Sequence, residues 1–303
     1  MNKIKDRKAA ISARVKEHYD YLVAAGYDVV FTALQGSQNY GLDEYSDDYC
    51  SDVDTKSIIL PCLDDFIRAK QPISAVEILE NDEHAEVKDI RVMFEMFKKE
   101  NISYIELLYS DYIVFNPKYE ALIKPIFERR DEIATADTAQ FLRCIAGMAY
   151  EKDKALCHPY PGIIEKIERY GYDGKQLSHC ARLLLYITDF SNGRPVAECY
   201  KPAEIYKLTL MNYKKQLDEN GAEMSVHLHD HPLERGRHNA RDRAEQRRLE
   251  KVSPRAERHA APGEKELPRG EGDVLGEVAE HISRFSSRRF PRRARRRPCA
   301  TAP

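Results

Sequence analysis

The spacing of hydrophobic positions changes period along the chain. From about Ile4 to Ala25 apolar residues recur at helical intervals, and Gly26 ends that segment. Tyr27-Asp28-Val29-Val30-Phe31-Thr32-Ala33-Leu34 reads as a mostly buried strand running directly into Gln35-Gly36-Ser37. A polar, acidic loop follows as far as Ser51. Val53, Thr55, Ser57, Ile58, Ile59 and Leu60 then predict a second strand, which Pro61 stops. Residues 63–70 predict a short helix. Residues 76–80 and 85–88, separated by Asn81-Asp82-Glu83, predict a hairpin or two short strands, and Asp89 is placed to cap a helix over 90–99. From about residue 103 the pattern is almost wholly helical, with segments at 103–109, 117–130, 136–156, 161–170, 174–191 and 202–219. Asn116-Pro117, Pro159-Tyr160-Pro161-Gly162, Gly171 and Asn192-Gly193 break them. The expected fold class is α+β: a mixed β-sheet with flanking helices over 1–120, then an α-helical module over 121–224.

Composition adds exclusions. The chain has 303 residues, 42% hydrophobic and 32% charged, and no apolar run approaches the roughly 18 residues of a membrane span. The charged start, Met1 to Lys8, lacks an apolar stretch behind it, so no secretory signal is expected. Seven cysteines without a CxxC pairing fit reduced thiols and a cytoplasmic location.

The formal charge of -2 conceals a break near residue 225. Before it stand 29 basic and 38 acidic residues, after it 19 basic and 12 acidic, so a body of -9 precedes a tail of +7. The body holds all 18 Tyr, and the tail holds 17 of the 27 Arg. Residues 225–303 have too few large apolar side chains for a core and are expected to be disordered. The abrupt change in residue usage is what a reading-frame shift would produce. The alternative is a basic arm making nucleic-acid contact electrostatically. The tail's His227, His229 and His231 match no standard metal-site spacing.

Asp52-Val53-Asp54 carries the chemistry. On an extended strand residues i and i+2 project from one face, so two carboxylates converge while Val53 turns inward. Their mutual repulsion invites a divalent cation, and hard oxygen ligands suit Mg²⁺. Upstream, a buried strand ending in Gly36-Ser37 lets phosphate oxygens approach backbone N–H groups, and the Ser37 hydroxyl adds a donor. Either feature alone is more often a solvated strand or a plain turn. Together they form a phosphate cradle facing a cation pair. Two-metal chemistry asks for a third carboxylate. Glu86, within Ala85-Glu86-Val87, is the candidate, and Asp89 is its rival, with helix capping as its plain role. No GxxxxGK[ST] or GxGxxG run competes, and Ser37 lacks the GxSxG setting of a hydrolase nucleophile. Lys175, His179 and Arg182 fall at i, i+4 and i+7 on one helix face. That face either closes over a nucleotide or lies in solvent while Leu177 and Leu184 pack.

Gly36-Ser37-Gln38-Asn39-Tyr40-Gly41 followed by Ser51-Asp52-Val53-Asp54 resembles the nucleotidyltransferases of the DNA polymerase beta superfamily. More narrowly it is similar to the predicted nucleotidyltransferases of RNA-repair pathways. Asn101-Ile102-Ser103-Tyr104-Ile105-Glu106-Leu107-Leu108 is similar to that family's NP..LE.L segment, with Ile102 in place of proline. Tyr172-Asp173-Gly174-Lys175, then His179, Arg182-Leu183-Leu184 and Asn192-Gly193, are similar to its YD.K...H..RLL helix. The resemblance spans about 27–220. It departs in the fourteen residues between Ser37 and Asp52, longer than the family pattern and rich in Asp43, Glu44, Asp47 and Asp48.

The resemblance implies a nucleotidyltransferase-type fold and transfer of NMP from an NTP to a hydroxyl acceptor, with release of pyrophosphate. Gly36 and Ser37 would hold phosphates, and Asp52, Asp54 and Glu86 would act as catalytic and metal ligands for two Mg²⁺, with Mn²⁺ as a substitute. Lys175, His179 and Arg182 would face the nucleotide. An RNA 3′ end is the favoured acceptor, ahead of a protein hydroxyl or a small molecule such as an aminoglycoside. The rival readings are a protein-AMPylating antitoxin-type enzyme and a non-catalytic nucleotide- or RNA-binding protein with a degenerate site.

Overall fold

The computed structural model describes residues 2–44, 51–79, 82–217 and 222–223, all within one compact unit. The chain begins with α1 (Asn2–Ala24) and β1 (Val29–Leu34), followed by β2 (Thr55–Ile59), α2 (Leu63–Ile67), β3 (Ser74–Ile78) and β4 (His84–Asp89). Next come α3 (Ile90–Lys98), α4 (Ile102–Ile105), a 3₁₀ turn at Glu106–Tyr109 and β5 (Ile113–Phe115). The rest is helical: α5 (Glu120–Glu128), α6 (Arg130–Ala134), α7 (Thr138–Ala155), α8 (Ile164–Tyr170), α9 (Gly174–Ser191), α10 (Val196–Cys199) and α11 (Glu204–Lys215).

The five strands form one mixed sheet in the order β3-β4-β2-β1-β5, with β2 and β4 parallel and the other neighbours antiparallel. All residues of β1 and β2 are buried, as expected for central strands covered on both faces. One layer packs α1 against the sheet through Leu22 on Val29, Ile59, Ala85 and Val87. The other packs Met93, Tyr104, Leu107 and Ile123 on Val30, Phe31 and Ile58. The edge strand β3 alternates exposed and half-buried positions, the pattern of a strand with one face packed.

The predicted hairpin is present as antiparallel β3 and β4. Asp89 caps α3, accepting from the Arg91 N–H at 2.8 Å. The segment expected as a helix over 103–109 is one α turn followed by the tighter 3₁₀ turn. The helix expected over 136–156 has its own start at Asp137, whose side chain accepts from the Gln140 N–H. Strand β5 lies between the helical segments expected at 103–109 and 117–130, where no strand was predicted. Three half-buried residues are too short for a period-2 signal, and only pairing with β1 makes them a strand. The tail, including His227, His229 and His231, and the loop acids Asp47 and Asp48 lie outside the described residues. No helix among the described residues is long and apolar enough to cross a membrane.

Candidate functional site

The GSQNYG turn leaves the end of β1 and doubles back beside the entry to β2. Gly36 has φ +76, the left-handed region that favours glycine, and a Cβ there would lie 3.7 Å from Asp54 Oδ2. The Asn39 N–H donates to the Gly36 carbonyl at 3.0 Å and the Leu42 N–H to the Ser37 carbonyl at 2.9 Å, closing the turn. Asp52 and Asp54 precede β2 rather than lying on it as predicted. The ladder begins at Thr55, yet the chain is already extended. Asp52 is exposed, Val53 buried and Asp54 half-buried, the alternation expected of a strand.

A cavity of about 600 Å³ opens in front of this turn. Ser37, Ser51, Asp52 and Asp54 line one side. Lys166 and Tyr170 of α8, Asp173, Gly174 and Lys175 at the start of α9, and Lys214, Lys215 and Gln216 at the end of α11 line the other, with Glu44 at the rim. Thus Ser37, Asp52, Asp54 and Lys175, separated in sequence, share one cavity. The convergence of α9 and α11 depends on Gly174. A Cβ there would stand 2.4 Å from the Tyr213 carbonyl, so only glycine lets the two helix ends meet this closely.

The two sides differ in charge. Burial raises the pKa of the Asp54 carboxyl above its ordinary value, and the Asp52 charge pushes the same way. The His84 N–H and ring and Lys175 oppose them. Asp54 therefore sits where added positive charge is favourable. On the facing side, Lys214 donates to the Leu42 carbonyl at 3.0 Å, and Lys215 lies 3.6 Å from Glu44. Among the described residues Lys166 and Lys175 form no ion pair, nor does Lys152 of α7 behind them. Burial lowers the pKa of Lys152 and Lys214, and the nearby charge of Lys175 lowers both further. Mutually repelling lysines in a concave site favour an anion between them.

The remaining predicted residues fall elsewhere. Glu86 lies on β4 beside Lys56 of β2, 3.5 Å from its Nζ, and 3.7 Å from the Nζ of Lys88. The position next to Asp54 in the parallel register belongs to His84, whose Nδ1 is 3.5 Å from Asp54 Oδ1. Among the described residues no group of three or more His, Cys, Asp or Glu side chains gathers to hold a metal. The donor set that fits a hard cation is the Asp52–Asp54 pair, since Glu86 is already matched to two lysines.

Arg182 does not line the cavity. It is buried beneath it, donates to Glu106 Oε1 at 2.6 Å and to the Tyr200 carbonyl at 3.1 Å, and lies 4.0 Å from the centre of the Tyr40 ring. The phosphate contact expected of Arg182 is thus replaced by a buried ion pair. His179 is half-buried against the Tyr40 ring edge, with Nδ1 3.4 Å from its hydroxyl. Burial, followed by the charges of Arg182, Lys152 and Lys175, pushes His179 down to about 3, so its ring is neutral. Neither expectation for this helix face holds throughout, because only Lys175 reaches the cavity. Tyr40, Glu106, His179 and Arg182, drawn from three separate motifs, meet under the site as one cluster.

Sequence reasoning missed Lys166, Lys214 and Lys215. Their only local signals are a lone lysine in the first turn of α8 and a lysine pair at the end of α11, both common on any surface. Comparisons of the chain with protein-family models, curated proteins and solved structures find no match in any of the three.

Proposed function

We propose that the protein is a nucleotidyltransferase that transfers NMP from an NTP to a hydroxyl acceptor and releases pyrophosphate. The carrying observation is the single cavity that sets Ser37, Asp52 and Asp54 opposite Lys166, Lys175 and Lys214. A triphosphate is the ligand class that satisfies both sides at once, with its oxygens toward the lysines and a cation shared with the carboxylates.

Asp52 and Asp54 would hold Mg²⁺, or Mn²⁺ in its place, which would supply charge neutralisation at the α-phosphate. Ser37 and the backbone of the Gly36 turn donate to the β- and γ-phosphates, and Lys175 orients the tail from α9. The acceptor oxygen bonds to the α-phosphorus as the bond to the β-phosphate oxygen breaks. Its proton passes to water in the open cavity, and the lysines meet the charge that develops on the leaving pyrophosphate. An RNA 3′ end is the acceptor by family analogy alone.

The test incubates α-³²P-labelled NTPs and Mg²⁺ with bulk RNA and with protein extract, comparing the wild type with Asp52→Ala/Asp54→Ala. Transfer by the wild type and its loss in the double variant is expected. Label on a protein instead of RNA would identify a protein-modifying enzyme. Retained nucleotide binding without transfer to any acceptor would leave a binding protein and overturn the enzyme reading.

A further inference from the structure

The segment carrying Asp52 and Asp54 lies outside the strand ladder, so its backbone groups need other partners. The carbonyls of Ser51 and Asp52 accept from the Gln38 side-chain amide, and the Asp54 carbonyl accepts from the Gln35 N–H at 2.9 Å. The Val53 N–H, midway between the two carboxylates, donates to Glu83 Oε1 at 3.1 Å. Glu83 stands just before β4 with its side chain only 7% exposed, and its other oxygen faces α1. There it accepts from Arg14 Nε at 3.0 Å and His18 Nε2 at 2.9 Å.

The chemistry fixes the sense of this chain. An ionised carboxylate only accepts, so His18 carries its proton on Nε2, and the neutral ring accepts the Thr55 hydroxyl at Nδ1, 2.9 Å away. Helix α1 thus reaches Val53 through Glu83 and Thr55 through His18. The Val53 side chain packs on Ile11 and Val15 of the same helix. Burying Glu83 and His18, with Arg14 half-buried beside them, is costly, and an apolar set would fill the space more cheaply. What the polar set does that an apolar one cannot is grip an N–H between two carboxylates.

We propose that Glu83, anchored by Arg14 and His18, is a positioning residue that holds the Val53 backbone so that Asp52 and Asp54 both face the cavity. This rests on reading the two aspartates as the cation-binding pair. It differs from the expectation for Glu86 and Asp89 in assigning no cation contact to the third acid.

The test measures Mn²⁺ binding to the full chain by electron paramagnetic resonance, together with the KM and kcat of label transfer. Glu83→Ala is expected to weaken Mn²⁺ about 10–100-fold, the range for residues that orient metal ligands. The kcat should drop while the KM for NTP holds, because the lysines are untouched. Glu83→Gln keeps an acceptor for the Val53 N–H and is expected to recover part of the affinity. Glu83→Met, which fills the same space without an acceptor, is expected to stay as weak as Glu83→Ala, and recovery in Glu83→Met overturns the positioning role. Wild-type Mn²⁺ affinity in Glu83→Ala, alongside loss in Asp52→Ala/Asp54→Ala, overturns the positioning role alone. Unchanged binding in the aspartate variant overturns the cation-pair reading, and the proposal with it. Should Glu83→Ala not fold, Arg14→Met carries the test, since it leaves the carboxylate and removes one anchor. A several-fold loss supports the proposal and no change overturns it.

Discussion

Lys175 and Arg182 lie on the same face of α9, two turns apart, and bear the same charge, yet they occupy opposite environments. Lys175 is exposed at the first turn, lines the cavity and has no ion pair among the described residues. Arg182 is 4% exposed and tied to Glu106 and the Tyr200 carbonyl. The difference is depth, set where α9 dives between α7 and α11. Periodicity reports direction around the helix axis and says nothing about distance from solvent. A cation near the surface costs little to leave unpaired and stays available to a ligand, whereas a buried one must be matched within the protein.

The largest effect that tests this contrast comes from removing one partner of the buried pair. Glu106→Ala leaves Arg182 charged and without its carboxylate, and about 3–5 kcal/mol of stability should disappear in urea unfolding. Glu106→Leu/Arg182→Leu should recover a large part of that loss, because no unmatched charge remains. If either single substitution at this pair proves no worse than Lys175→Met, the two environments are not as different as their burial indicates.

His179, between the two cations, sharpens the comparison through pH. Its folded pKa lies near 3, below the ordinary 6.5, so the unfolded chain binds the proton first. Stability is therefore fully present above pH 6.5 and is lost as pH falls from 6.5 towards 3. The limiting slope is about 1.4 kcal/mol per pH unit. His179→Gln should remove this slope while other acid-sensitive groups remain. The measurement is the difference between wild-type and variant unfolding free energies at pH 7 and pH 5. A difference that does not change with pH would place His179 in contact with solvent.

How much of this was legible depends on the range of the interactions. The α1, β1 and α9 segments could be read because their apolar spacing and caps are local, and Asp89 was readable as a cap for the same reason. The Gly36-Ser37 turn and the Asp52/Asp54 pair were also local, each within a few residues, and their sharing of one cavity followed from adjacent antiparallel strands. Strand β5, the Glu86–Lys56 match and the Arg182–Glu106 pair depend on partners fixed only by tertiary register, which no window of sequence contains. Glu83 was hidden for the same reason. It stands in what reads as a turn, and its partners lie 65 and 69 residues away on α1.

The smallest change is expected where the comparison is most specific. Lys175→Met removes an exposed cation that forms no ion pair among the described residues, so stability should shift by no more than about 0.5 kcal/mol. Nucleotide affinity should respond instead. Loss of one charge-assisted contact to phosphate corresponds to about a tenfold weaker dissociation constant for ATP, read by calorimetry. The same variant should show a flatter dependence of affinity on salt concentration, because one fewer cation is screened. Lys166→Met and Lys214→Met should act in the same direction, whereas Lys215, already shared with Glu44 at 3.6 Å, should matter least. If ATP affinity is untouched by all three neutralisations while the aspartate pair still controls cation binding, the lysine side of the cavity serves a different anion, and the acceptor becomes the first one to test.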